Sequence, residues 1–136
     1  MKIMILCSKH FYNKISEIKD FLESKGHKLK MPNSYDKPMK EFEMKKLSKE
    51  EHIKWKSSMM EKDEDNIKPQ DAVLVLNFEK KGIPNYIGGA TFLEVYMVWR
   101  LNKKIYFYNP LPKCSFTDEL IGINPTIING NLLLIK

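Results

Sequence analysis

Two hydrophobic rhythms alternate along the chain. Residues 2–7 are apolar after Lys2 and end in the polar cluster Ser8-Lys9-His10, the pattern of a strand buried on both faces. Over 13–25, Ile15, Ile18, Phe21 and Leu22 recur at helical spacing, and Gly26 stands where a helix C-cap belongs. A shorter strand is expected over 27–31, closed by Pro32-Asn33-Ser34. Residues 71–76, Asp-Ala-Val-Leu-Val-Leu, are the most strand-like in the chain and predict a central parallel strand. A loop with Gly82, Pro84 and the pair Gly88-Gly89 leads into a helical stretch over 90–101 and then a strand over 104–108. Residues 117–121 suit a short helical turn, and 126–135 predict a final strand or a hairpin broken at Asn129-Gly130.

Residues 37–68 read differently, with 9 lysines, 8 acidic residues and few β-branched side chains. Ser48-Lys49-Glu50-Glu51 is a capping box, so two consecutive helices fit best. Met39 and Phe42, then Trp55 and Met59, give each an apolar stripe, which predicts core packing for these side chains and a solvated charged face opposite. Strands alternating with helices predict an α/β fold. The expected architecture is a flavodoxin-like three-layer sandwich with a mostly parallel sheet of four or five strands, spanning 1–136 as one domain. Ligands in such sheets bind beyond the carboxyl ends of the strands, so the loops at 8–12, 32–36, 77–89 and 109–115 decide function.

Composition narrows the possibilities. At 136 residues with 43% hydrophobic and 11% aromatic residues, the chain has enough apolar content for a core and is not disordered as a whole. The net charge of +6 favours anionic ligands, but Arg100 is the lone arginine, which argues against sequence-specific nucleic-acid reading. Cys7 and Cys114 lie far apart, with no CxxC and no His pair at ligand spacing, so no metal site is expected. Cys7 falls in an apolar run, where a thiol acts as a small hydrophobe. The apolar start is too short for a signal segment or a membrane span, and the expected location is the cytoplasm.

The stretch 77–94 carries the candidate chemistry. Gly88-Gly89 at a helix start lets a ligand approach bare backbone N–H groups, although a tight turn with close helix–strand packing reads equally well. Glu94 follows within an otherwise apolar helix, where a part-buried carboxylate facing a cleft competes with a surface glutamate near a helix N-terminus.

These residues resemble a family. The strand Asp-Ala-Val-Leu-Val-Leu, the glycine turn, the helix Gly-Gly-Ala-Thr-Phe-Leu-Glu and then Lys-Lys-Ile-Tyr-Phe look like the nucleoside 2-deoxyribosyltransferase-like superfamily, which includes nucleotide N-glycosidases. The resemblance covers most of the chain and is strongest over 63–110. It implies that Glu94 attacks the anomeric carbon of a nucleoside or nucleoside 5′-monophosphate and that Asp63 protonates the departing base, with neighbouring Glu64 and Asp65 leaving a plain acidic cluster as the other reading. Ser8, Lys9, His10, Phe11, Asn77, Gly88 and Gly89 are the expected substrate-binding residues; an ordinary surface loop is the competing reading of His10. Asp71 starts its strand at the far end and reads as structural. Where the family holds an acidic residue near the glycine turn, this chain has Asn85-Tyr86-Ile87, and Tyr96 and Val98 replace small residues after the glutamate.

The resemblance further implies no cofactor and a homodimer or higher homo-oligomer, with Asn129-Gly130-Asn131 loosely matching a site-completing asparagine. The competing functions are a non-catalytic nucleotide-binding or sensing module on the same fold and a flavodoxin-like FMN protein. The Gly-rich dinucleotide fingerprint and the nucleophile elbow of serine hydrolases are absent from the sequence.

Overall fold

The computed structural model describes residues 1–136, the side chain of Glu41 excepted. Five strands, β1 (Lys2–Leu6), β2 (Lys28–Lys30), β3 (Ala72–Val75), β4 (Lys104–Phe107) and β5 (Thr126–Ile127), form one sheet in the order β2-β1-β3-β4-β5. Every pairing is parallel, with Ile3 opposite Ala72 and Val73 opposite Ile105 in the centre. That order is the flavodoxin-like one.

The strands are continuous apolar runs because both faces are covered. Along β1, Ile3 and Ile5 pack with Ile15, Ile18 and Leu22 of helix α1 (Ile15–Ser24), whereas Met4 and Leu6 share the opposite core with residues of three other helices. The two-residue strand period therefore divides one apolar run between two cores. On the second face lie α3 (Lys49–Ile67), α4 (Gly89–Arg100) and α5 (Thr117–Ile123), which contribute Ile67, Val95 with Val98, and Leu120. Gly26, at φ 91, follows α1 in the left-handed conformation that a helix C-terminus requires.

The expected pair of helices over 37–68 is present as α2 (Lys40–Lys45) and α3, and Ser48 Oγ accepts the Glu51 N–H at 3.2 Å. The expected core packing of their stripes is not. Met39 and Phe42 are exposed, and Trp55 and Met59 are half-buried. Length explains this. Nineteen helical residues extend about 28 Å, against about 16 Å for a five-residue strand, so α3 meets the core at Ile67 while its first turns overhang the carboxyl edge of the sheet.

Two other expectations change. The loop at 8–12 is a 3-10 turn, Lys9–Lys14, running directly into α1. Of the two readings of the C-terminal segment, the final strand is found, as the short β5, and the hairpin is not. After β5 the Ile128 and Gly130 N–H groups donate to Phe107 O and Tyr108 O, both at 2.9 Å, so the segment continues along β4, and its internal hydrogen bonds, such as Asn131 N–H to Ile128 O at 2.9 Å, close turns rather than a hairpin ladder. Asn129 and Gly130, at φ 48 and 76, then turn the chain into a 3-10 turn, Leu132–Leu134, and Ile135 closes the core on the α1 side.

Candidate active site

The overhang of α3 creates a cleft of about 510 Å³ beyond the carboxyl edge of the sheet. Its floor is the end of β1, at Cys7 and Ser8, and the start of α4, at Gly88-Gly89. The turn after β2 contributes Asn33, and α2 and α3 form the far wall with Phe42, Trp55 and Met59. Of the stripe residues predicted to be core, Phe42, Trp55 and Met59 thus face the cleft, whereas Met39 is exposed outside it.

Glu94 is placed by helix periodicity. Thr91, Val95 and Val98 turn inward from α4 and are buried, and position 94 falls on the same side, so the carboxyl is half-buried against the edge of the sheet. Burial, and then the charge of Asp63, hold this carboxyl well above the usual glutamate range, with Lys56 opposing. Asp63 stands one helical turn beyond Met59 on the cleft side of α3, and burial pushes it up to about 6 against the pull of Lys56 and Lys62. Glu64 and Asp65 do not line the cleft.

The carboxyl of Asp63 has a support behind it. Asn33 Nδ2 donates to Asp63 Oδ1, and Asn66 Nδ2 donates to Asn33 Oδ1. Cys7 packs against the α1-side core and also lines the cleft; burial, and then the charge of Glu94, push its thiol up to about 12, so it stays protonated.

The rim is basic. Lys9, Lys45, Lys56, Lys80 and Lys81 line the cleft, and Asp63 and Glu94 are the two carboxylates among the described lining residues. His10 is exposed at the rim, its imidazole held below its usual range by desolvation and then by the charges of Lys80, Lys81 and Lys9. Lys9 Nζ lies 4.2 Å from the centre of the Phe42 ring, linking the rim to α2. Lys80 Nζ lies 4.4 Å from the centre of the Tyr86 ring. A tight turn carries the lysine pair: Lys80 and Ile83 exchange backbone hydrogen bonds, and Lys81 and Gly82 both take positive φ. Gly88 caps α4 beneath Tyr86, whose hydroxyl would lie 3.4 Å from a Cβ added there. Among the described residues, no group of three or more His, Cys, Asp or Glu is placed to hold a metal ion, and no helix is long and apolar enough to cross a membrane.

Of the residues singled out from sequence, Ser8, Lys9, His10, Gly88, Gly89, Asp63 and Glu94 come together here. Two do not. Phe11 is buried, edge-on to Phe78 and Tyr86 at 5.6 and 6.5 Å between ring centres, because the 3-10 turn rotates it into the interior. Asn77 is fully buried and ties β3 to β4: its side chain accepts the Asn109 N–H at 2.8 Å and donates to Asn109 O and Pro110 O. Asp71 lies at the opposite edge of the sheet, its carboxylate held low by the Lys2 N–H at 2.7 Å. Sequence reasoning did not single out as site residues Asn33, Trp55, Lys80 and Tyr86, which line the cleft. Asn33 and Lys80 were detectable, since both fall in loops that follow strands.

No protein-family model matches the chain, and no curated protein matches it. Among solved structures the chain is similar to a 2-deoxyribosyltransferase from the psychrotolerant bacterium Bacillus psychrosaccharolyticus. Sequence identity is 17% and the TM-score 0.55, over 84% of this chain and 76% of that one. The likeness is one of fold: an α/β sandwich with a flavodoxin-like sheet.

Proposed function

We propose that this protein cleaves or transfers at the N-glycosidic bond of a nucleoside or nucleoside 5′-monophosphate, with Glu94 as nucleophile and Asp63 as general acid. One observation carries the reading: two carboxyls with raised proton affinity, from α4 and α3, share one cleft at the carboxyl edge of the sheet. The fold likeness to a 2-deoxyribosyltransferase supports it.

In this mechanism the Glu94 carboxylate bonds to C1′ and the bond from C1′ to the base nitrogen breaks. The base leaves with that electron pair and takes a proton from Asp63. A second base or water, deprotonated by Asp63, then attacks C1′ and releases Glu94. Burial favours the proton on Glu94, whereas the chemistry needs it on Asp63, so a proton shift within the pair precedes attack. The aromatic and methionine wall suits a nucleobase face, and the lysine rim suits a phosphate.

The experiment is chromatography of free base released from a panel of nucleosides and 5′-monophosphates, with and without an acceptor base, beside Glu94→Ala. Base release should fall by at least ~10³-fold in Glu94→Ala, because the covalent route is lost. Dependence on the acceptor distinguishes transferase from hydrolase. A folded variant with unchanged release overturns the mechanism. Saturable nucleotide binding without release from any compound selects the binding module, a reading favoured by Asn85-Tyr86-Ile87 beside the glycine turn. The homo-oligomer implied by the family resemblance is part of this proposal, and Leu93, Tyr96 and Trp99, exposed on α4, offer it an apolar surface. Sedimentation of a single monomeric species would remove it.

A further inference from the structure

We infer that Asn33 is a positioning residue for Asp63: clamped in one orientation by Asn66, it commits Asp63 Oδ1 to an amide hydrogen bond and leaves Oδ2 as the oxygen that carries the proton. The catalytic meaning of this arrangement rests on the glycosyl reading above, but the hydrogen-bond chain does not.

Local geometry supplies the argument. Asp63 and Asn66 are three residues apart and therefore neighbours on one face of α3. Asn33, from the turn after β2, sits between them: it accepts from Asn66 Nδ2 through its carbonyl oxygen and donates to Asp63 Oδ1 through its own Nδ2. A carboxamide donates only through nitrogen and accepts only through oxygen. With its oxygen taken by Asn66, Asn33 must present its NH₂ to Asp63. Asn66 is itself embedded in this region, its backbone carbonyl accepting from Gln70 Nε2 at 3.1 Å.

A donor at Oδ1 stabilises the ionised carboxylate and directs any proton to the other oxygen. The charges acting on Asp63 come from Lys56 and Lys62 on its own helix; Asp63 in turn raises Glu94 on α4, and Cys7 borders Glu94 as a neutral thiol. Burial favours the protonated acid, whereas Asn33 and the lysines favour the anion. Asn33 thereby keeps Asp63 within reach of both states, as a group that gives a proton in one half-reaction and takes one in the next must be.

The test is an NMR titration of the Asp63 carboxyl in the wild-type protein, Asn33→Ala, Asn66→Ala and the double variant, with a pH profile of base release on each. Loss of the donor should raise the Asp63 midpoint by about one pH unit in Asn33→Ala and by less in Asn66→Ala. The double variant should match Asn33→Ala, because Asn66 acts only through Asn33. kcat should fall by ~10-fold with KM nearly unchanged, and the acidic limb of the profile should move up with the NMR midpoint. A folded Asn33→Ala with Asp63 at its wild-type midpoint, or additive shifts in the double variant, overturns the inference. If Asn33→Ala does not fold, an unmoved midpoint in Asn66→Ala does the same. Absence of base release from the wild-type protein counts against the glycosyl reading alone, since the titration still decides the hydrogen-bond chain.

Discussion

The central strands and the α2–α3 connection both carry regularly spaced large apolar side chains, yet they use them for opposite purposes. In β1, β3 and β4 the apolar residues are continuous and meet protein on both faces. In α2 and α3, Phe42, Trp55 and Met59 sit among lysines and glutamates and meet a cleft. What separates the two regions is what lies opposite. A strand in the middle of a covered sheet always has a layer above and below, whereas a helix longer than the strands overhangs them and leaves its stripe facing open space. An apolar stripe on a strongly charged helix thus reads as a cleft wall where the fold supplies no further layer to cover it.

The comparison is most open to refutation at its two ends. Phe107 is fully buried on β4 and touches the α3–α5 side of the core, so Phe107→Ala should cost about 3–5 kcal/mol of unfolding free energy. Trp55→Ala, which removes an even larger ring, should cost under about 1 kcal/mol and instead weaken nucleotide binding by ~10-fold or more. Denaturant unfolding and ligand titration on the two variants check both halves. Equal destabilisation would place Trp55 in the core after all.

Much of the scaffold was legible because each strand carries its own signal. An unbroken apolar run such as 72–75 has one structural solution in an alternating α/β chain, and Ser48 and Gly26 mark helix ends through local hydrogen bonding and backbone conformation. Glu94 stood out as a carboxylate within an otherwise apolar helix, and its choice between cleft and surface is made by the side it shares with the buried Thr91, Val95 and Val98. The misreadings came where local pattern is silent about direction. Nothing near Phe11 or Asn77 shows that one turns into the interior while the other spans to a strand end 32 residues away. Nor does sequence join Asn33 to Asn66, since the contact exists only once α3 has folded back along the sheet.

Asn77 sharpens the distinction between a residue in the cleft and one that builds it. Its carboxamide makes three hydrogen bonds to the backbone of residues 109 and 110, and Asn109 Nδ2 returns one to Asn77 O at 3.1 Å. Asn77→Ala leaves the Asn109 N–H and two carbonyls without this partner in a part-buried site, which should cost about 1–3 kcal/mol. Because Asn77 does not line the cleft, affinity for a nucleotide should fall far less than stability. Denaturant unfolding alongside ligand titration would show this. A variant that keeps its stability but loses binding would return Asn77 to the ligand contacts first expected of it.

The smallest effect is electrostatic and has a definite sign. The folded protein holds protons on Asp63 and Glu94 more tightly than an unfolded chain does, so their contribution to stability is fully present below the usual carboxylate range and is lost as pH rises through about 6 and beyond. Asp71, whose carboxylate is held low, acts in the opposite sense but only as pH falls below its usual value of 3.8, outside this window. Cys7 adds a loss only above its ordinary thiol value of 9.0. His10, held low at the rim, opposes the carboxyls near neutrality. Comparing wild type with Glu94→Gln cancels the His10 term, because the histidine is present in both. The amide needs no buried charge, so Glu94→Gln should gain on wild type by a few degrees of Tm (~2–4 °C) at pH 8 and by much less at pH 5. Thermal melts of the two proteins across pH 5–8 measure the difference. A gap that stays flat would mean that Glu94 is solvated as freely as any surface carboxylate, and that the cleft does not hold the proton on which its chemistry depends.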